Sequence, residues 1–487
     1  MSMPISTGKD KNIIVLTGST LSSEELLSIA HGATVSLSSE AKCRMDTNAR
    51  NVPSASAILQ SKRHWLTGDP ANPKETLAKD FILGHCAGVG EPFSKLIVRG
   101  AMAARINVLA TGITGSRAIV AEKLIEMLNK NITPKVPSQG SVGAAGDLAP
   151  MAHIARDLCG YGAPIEDFAP LLPTDKEALA LINGVSLSTA IAAIAIERAK
   201  TIFSASVWSA ALSMEVVCAQ KQCLDSRALK ARRHPEVEEV GALLRDILEA
   251  SRRVTPAQRP DAFSIRAGPS VMGAILRTIR FAAEEVQREL NGTSDNPLFI
   301  DGEWIEAGNF HGASIALAMD HLATALTQLG TLTERRIFRL THGKLSNNLP
   351  SFLVQGTGLN SGFMLAQYTA AALASEMKGL AHPASVDTIP TVQHHEDHVS
   401  MSPIAGRMAL QSIECLADIV AIELLVGAQA LDLREQDDGF PAPQKLALLH
   451  QHIRKKVHFW KDDNVLHPDI RALSEMVRQS DFFKLSL

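Results

Sequence analysis

Aromatic residues are scarce in this chain: 4% of 487 residues, made up of 15 Phe, 4 Trp and 2 Tyr. Only Tyr161 and Tyr368 carry a phenol, so chemistry that needs a phenolic acid or base has few places to draw on. Cysteine is sparse too. The six cysteines, at 43, 86, 159, 218, 223 and 415, form no CxxC pair. That spacing argues against a disulfide framework and predicts reduced thiols in a cytoplasmic protein. Neither sign of charge is in excess: 48 Lys+Arg against 51 Asp+Glu leaves a net charge of −3. Such a balance excludes a chain built to coat nucleic acid or an acidic membrane surface. Long apolar runs are missing as well. The segment 178–196 is interrupted by Asn183, Ser186 and Ser188, and 416–433 by Asp418 and Glu423. Both predict buried helices rather than membrane spans. The stretch Met1–Asp10 is polar and lacks the apolar core of a signal peptide.

What is present is helical period. Hydrophobic residues are 46% and charged ones 20%, enough to bury a large core and too apolar for disorder. Ile413, Leu416, Val420 and Leu424 step by three and four along one face. The segments 190–199, 274–290, 313–336 and 362–380 are rich in Ala, Leu, Met and Glu and predict helices. Their many alanines, such as Ala316, Ala323 and Ala371, allow close backbone packing in a bundle buried partly by other subunits. No solenoid repeat and no run of alternating strands is visible, so the fold class is all-α. Three loops break the pattern: 137–150, 252–269 and 382–398, the last carrying four histidines. Loops on a rigid scaffold are where chemistry is expected.

The first loop reads Gly140-Ser-Val-Gly143-Ala-Ala-Gly146-Asp147-Leu-Ala-Pro150, with glycine at every third position. Glycine permits positive φ and close backbone approach. Asp147 is placed to cap the helix that follows, and Pro150 fits its first turn. The start of that helix suggests an anion site, but the pattern is neither GxGxxG nor a Walker loop.

The stretch 140–155 resembles the signature of the histidine and aromatic amino-acid ammonia-lyases, and further segments match in family order. They include His85-Cys-Ala-Gly-Val-Gly90, Leu181-Ile-Asn183-Gly184, Thr293-Ser-Asp-Asn-Pro-Leu298, Gly308-Asn-Phe-His-Gly312, Glu334-Arg-Arg336, Gly358-Leu-Asn-Ser-Gly-Phe-Met364, His382-Pro-Ala-Ser-Val386 and Glu396-Asp-His-Val-Ser-Met401. The resemblance implies a long-helix bundle of the ammonia-lyase/fumarase-like type with a smaller N-terminal domain. It also implies a homotetramer whose active sites form from more than one subunit. The expected division is 1–200 for an N-terminal domain with the glycine loop and pocket, 201–436 for the central bundle, and 437–487 for a helical tail.

Three departures bear on function. In the family an Ala-Ser-Gly triplet cyclises to a methylidene-imidazolone (MIO), the electrophile that captures substrate; here the triplet is Ala144-Ala145-Gly146. The exocyclic methylidene arises by losing water from the serine side chain, and Ala145 has no hydroxyl to lose. The MIO cofactor is therefore not expected to form, although the Gly146 nitrogen can in principle still close a ring. The family's Tyr-Gly-x-x-Thr-Gly-Phe-Gly loop corresponds to Arg63-His-Trp-Leu-Thr67-Gly68, so its base is lost at Arg63. The Asp-x-Tyr-Ser-x-Arg segment reads Asp261-Ala-Phe263-Ser-Ile-Arg266, which removes a second phenol. A single engineered Ser→Ala would explain the triplet but not Phe263 or the rebuilt 63–70 loop, so natural divergence is favoured.

The binding shell is retained in the resemblance. Arg266 would hold a substrate carboxylate, for which a guanidinium is suited; a loop Arg can equally pair with a protein carboxylate. Asn183 and Asn309 would line the site, with Phe310 nearby. His85 and Glu396 stand where histidine-specific members read the imidazole; a satisfied buried histidine and a capping network are the plainer alternatives. The run His394-His-Glu396-Asp-His398 would put two histidines on one face if helical, but it is not HExxH, and no metal is expected. Cys86 is either a nucleophile or a small core residue. His64, His85 and His395 are candidate substitute bases. The expected ligand is a small polar, amino-acid-like carboxylate, with no nucleic acid or membrane partner. Two functions stay open: a carbon–nitrogen lyase or related reaction without the electrophile, and a catalytically inactive pseudoenzyme kept for ligand binding or protein partnering.

Overall fold

Helix dominates the computed structural model because the Ala- and Leu-rich segments pack through small residues. The structure describes residues 13–52, 77–255, 260–356 and 358–485. The predicted helices are present: three extend beyond the sequence signal, as Ser186–Val216, Gly268–Leu290 and Ala313–Thr341, and the fourth starts two residues later, as Met364–Leu380; Ser402–Asp438 is longer than any of these. Strand is confined to short pairs among the described residues. Ile14–Leu16 runs parallel to Val35–Leu37, Val89–Pro92 antiparallel to Pro137–Gln139, and Leu298–Ile300 forms a hairpin with Glu303–Ile305.

The described residues gather into two compact units that interleave along the chain. The first holds the residues up to Glu197 together with Ala283–Met319 and Pro383–Arg407. The second holds Arg198–Ala282, Asp320–His382 and Met408 onward. The chain crosses between the units at 197/198, 282/283, 319/320, 382/383 and 407/408, and 437–487 lies within the second unit.

In the first unit, small residues set how closely helices meet. A Cβ built on Gly100 would lie 3.3 Å from the Ala190 Cβ, and one on Gly406 2.8 Å from Ile191. Leu26 and Ile194 fill the space around the Gly100 contact and are fully buried. Helix starts are capped by sequence. Thr174 and Glu177 form a capping box at Asp175–Ile182, and Ser22 and Glu25 form another at Ser23–Ala30.

The second unit is organised around a buried ion pair. Glu423 accepts from Arg336 at 2.5 and 2.8 Å, and from the hydroxyls of Ser209 and Ser213 at 2.6 Å each. Both charged side chains are essentially excluded from solvent. A second buried cluster joins Arg253 to Glu215 and Asp438.

Candidate active site

The glycine loop is pinned by backbone. Gly146 and Gly184 form a parallel bridge in which Asp147 N–H donates to Gly184 O at 2.8 Å and Gly184 N–H to Ala145 O at 3.2 Å. Gly184 has φ +93°, and a Cβ there would lie 1.9 Å from the Ser294 carbonyl oxygen, so only glycine fits. Arg105, fully buried, donates to the carbonyls of Ala180, Asn183 and Ser294 and so closes the end of the Asp175–Ile182 helix. Asn183 is buried, and its side-chain Oδ1 has no hydrogen-bond partner among the described residues.

Asp147 departs from the sequence expectation. It occupies the N-cap of Leu148–Leu158 but makes no side-chain cap bond. Its carboxylate turns instead to Ser188, accepting from the backbone N–H and from Oγ, each at 2.7 Å. The Ser188 donors outbid the helix's own amides because they are fixed by the start of the Ser186–Val216 helix. Burial pushes the Asp147 carboxyl up to about 6, against the pull of the Ser188 bonds and of Arg105. The chain of hydroxyls continues from Ser188 Oγ to Ser402 Oγ at 3.1 Å and from there to Ser400 Oγ at 3.1 Å; Ser400 Oγ donates to Gly143 O at 3.0 Å.

This relay draws three loops together within the first unit. Met401 N–H donates to Val142 O at 2.8 Å. Ala144 is buried against Val399 and Met401, while Ala145 is half-buried. A Cβ on Gly312 would lie 2.3 Å from Ser402 Oγ, so the loop carrying Asn309 and Phe310 abuts the same hydroxyls. Asn309 is exposed and Phe310 half-buried. His311 stacks on His398, rings 5.6 Å apart and 6° from parallel, and its buried Nε2 has no partner among the described residues.

His85 ends the Leu77–His85 helix. Its Nδ1 pairs with Phe81 O at 2.7 Å, and the ring lies against Phe81. Three residues on, the backbone packs closely on the glycine loop: a Cβ built on Gly140 would lie 2.9 Å from Gly88 Cα, and one built on Gly88 3.4 Å from His153 Nε2. His153 is buried and its imidazole is held below the usual range, chiefly by burial. Glu396 accepts from Thr391 Oγ1 at 2.7 Å within a backbone bridge between the same two residues, so it caps no helix. His394 lies in a short 3-10 turn broken at Gln393, so His394 and His398 do not share a helical face. Among the described residues no group of three or more His, Cys, Asp or Glu is arranged to hold a metal. Cys86 gives its thiol to Ile82 O at 3.4 Å, and burial raises its pKa, which argues against a ready nucleophile.

Arg266 and Phe263 belong to the second unit, on the short helix Phe263–Arg266. Arg63 and His64 lie outside the described residues. The structure therefore brings together the loops carrying Ala144, Ala145, Gly146, Asn183, Asn309, Phe310, Glu396 and His85 in one unit. Sequence reasoning missed Arg105, Ser188, Ser400, Ser402 and His311. Of these, Ser188 and Ser402 carried a signal, as polar residues at the starts of otherwise apolar helices.

Raising a carboxyl makes a testable demand. The fold favours protonated Asp147, so its penalty is absent below the unfolded carboxylate value, near 3.8. It grows as pH rises and is complete above about 6. The wild type should lose stability relative to Asp147→Asn between about pH 4 and 6, then run parallel to it. Denaturation midpoints of both proteins across that range test this; parallel curves throughout would contradict the assignment.

The fold is mostly helical, and its glycine-pinned loop is hydrogen-bonded into a serine–aspartate network. The family model for aromatic amino acid lyases matches residues 67–455. The chain belongs to the aromatic amino acid lyase family. It is 40% identical over 424 residues to a histidine ammonia-lyase of Pseudomonas fluorescens, covering 83% of this chain and 82% of that protein. It is 38% identical over 503 residues to one of Chloroflexus aurantiacus, covering 96% of each. Among solved structures, histidine ammonia-lyase from Trypanosoma cruzi superposes with a TM-score of 0.85 at 34% identity, covering 96% of this chain and 93% of that one. Tyrosine aminomutase from Streptomyces globisporus does so at 0.86 and 31%, covering 96% and 97%. No helix among the described residues is long and apolar enough to cross a membrane.

Proposed function

We propose that this chain binds a small, polar, amino-acid-like carboxylate and does not perform the family's usual ammonia elimination. The observation that carries the reading is the methyl side chain at position 145. The residues present do not fit the MIO group, because its methylidene carbon requires a hydroxyl at that position. The likeness to histidine ammonia-lyases and the polar groups at His85 and Glu396 support a histidine-like ligand. Arg266 is assigned to the carboxylate by its place in the family motif, and Asn183 offers an unpartnered buried Oδ1 for a ligand N–H. Asn309 and Phe310 border the same loops. The same reading takes the protein as a cytoplasmic homotetramer, as the family resemblance implies, without nucleic-acid or membrane partners.

A second reading, carbon–nitrogen lyase chemistry without the electrophile, is favoured by the histidines near the glycine loop. The orphaned His311 Nε2 and His85 would then supply the base.

The test is incubation of the full-length protein with histidine, phenylalanine and tyrosine, and with the matching acrylates plus ammonia, followed by mass spectrometry. Calorimetric titration with the same compounds runs alongside. The expected result is saturable binding without product, weakened about ten-fold or more by Arg266→Ala. Product that depends on Arg266 would overturn the non-catalytic reading. An intact-chain mass short by the mass of water would show that residues 144–146 cyclise.

A further inference from the structure

In the second unit the Arg266 guanidinium lies over the Phe263 ring, 5.1 Å from its centroid. The two residues are three apart on one short helix, a spacing that turns side chains toward each other. Phe263 is 71% exposed, an unusual place for a phenyl ring that covers no core. Arg266 is exposed as well, and among the described residues no carboxylate forms an ion pair with it. The nearest acid in sequence, Asp261, is engaged elsewhere: its Oδ2 accepts from Gln220 N–H at 2.7 Å. Among the described residues the cation is thus held by an aromatic face and has no ion-pair partner.

We infer that Phe263 is a positioning residue, its ring holding the Arg266 guanidinium oriented and unpaired for an incoming carboxylate. A ring face orients a planar cation without neutralising it, whereas a protein carboxylate would compete with the ligand's own. Position 263 then has a job that depends on its ring and not on a hydroxyl, which accounts for the loss of a phenol there without the loss of an aromatic residue. The inference rests on the assignment of Arg266 to the ligand carboxylate, and its test separates the two.

The first arm needs no ligand. Phenylglyoxal reacts with accessible guanidinium groups, and peptide mass spectrometry of the full-length protein reads modification at Arg266. Phe263→Leu and Phe263→Ala should raise the rate at Arg266 about two- to five-fold, while Phe263→Tyr and Phe263→Trp keep it at or below the wild-type rate. Because Phe263 is exposed, circular dichroism and denaturation midpoints of all four variants should match the wild type. The second arm is titration with histidine and with imidazole acrylate: Leu and Ala should weaken binding by the same factor, and Tyr should restore it. A leucine variant with wild-type reactivity at Arg266 would overturn the positioning role. If reactivity follows aromaticity but the wild type binds neither compound, the carboxylate assignment fails and the positioning role stands.

Discussion

Replacing Ala145 by serine should leave histidine elimination about 10⁴-fold or more below that of the Pseudomonas fluorescens histidine ammonia-lyase assayed beside it. The serine supplies the hydroxyl whose loss gives the methylidene, and the pinned backbone around Gly146 and Gly184 is already in place. The phenols are still missing. A positioned acid or base contributes about 10²–10⁴-fold, so two absent groups outweigh a restored electrophile. Adding Phe263→Tyr to Ala145→Ser should recover part of the deficit, on the order of 10²-fold. Ammonia release and product formation measured together decide the matter. Family-like turnover from Ala145→Ser alone would mean that another group, with His311 first in line, serves as the base.

The largest stability effect is expected from Glu423→Ala, a loss of about 3–5 kcal/mol. Removing the carboxylate strands the Arg336 guanidinium in a site where it is 1% exposed, and leaves the Ser209 and Ser213 hydroxyls without their acceptor. Such a loss is a large part of the roughly 5–15 kcal/mol that holds a domain folded. The paired change Arg336→Met with Glu423→Leu should cost much less than the single one, because no buried charge is left behind. Denaturant midpoints at fixed protein concentration, for both variants, read the difference. A single variant within about 1 kcal/mol of the wild type would show that water reaches the site.

Much of this molecule was legible before any coordinates. The Ala- and Leu-rich segments carry their helical preference locally, whereas the glycines at the close contacts, Gly100 and Gly406, lie on helices outside those segments. Glycines at 143 and 146 marked the loop because their backbone demands are written in the residue type. The partnership of Asp147 was not legible: a helix-start aspartate normally reaches its own helix, and only the fold places Ser188, 41 residues away, as the better donor. The same holds for Arg105, whose three carbonyl acceptors lie 75 to 189 residues downstream. Interleaved units defeat any division into consecutive blocks, since the chain leaves the first unit and returns to it twice.

The backbone bridge between Gly146 and Gly184 also sorts positions by how freely they can drift. At 184 any side chain meets the Ser294 carbonyl, so a mutant there is removed for failing to fold, whatever its chemistry. At 145 the side chain is only half-buried and the hydrogen bond runs through the main chain, so serine and alanine are interchangeable as far as folding is concerned. The methylidene chemistry of this loop can therefore be lost by one substitution that leaves the fold intact, while a side chain at Gly146 or Gly184 would collide with backbone.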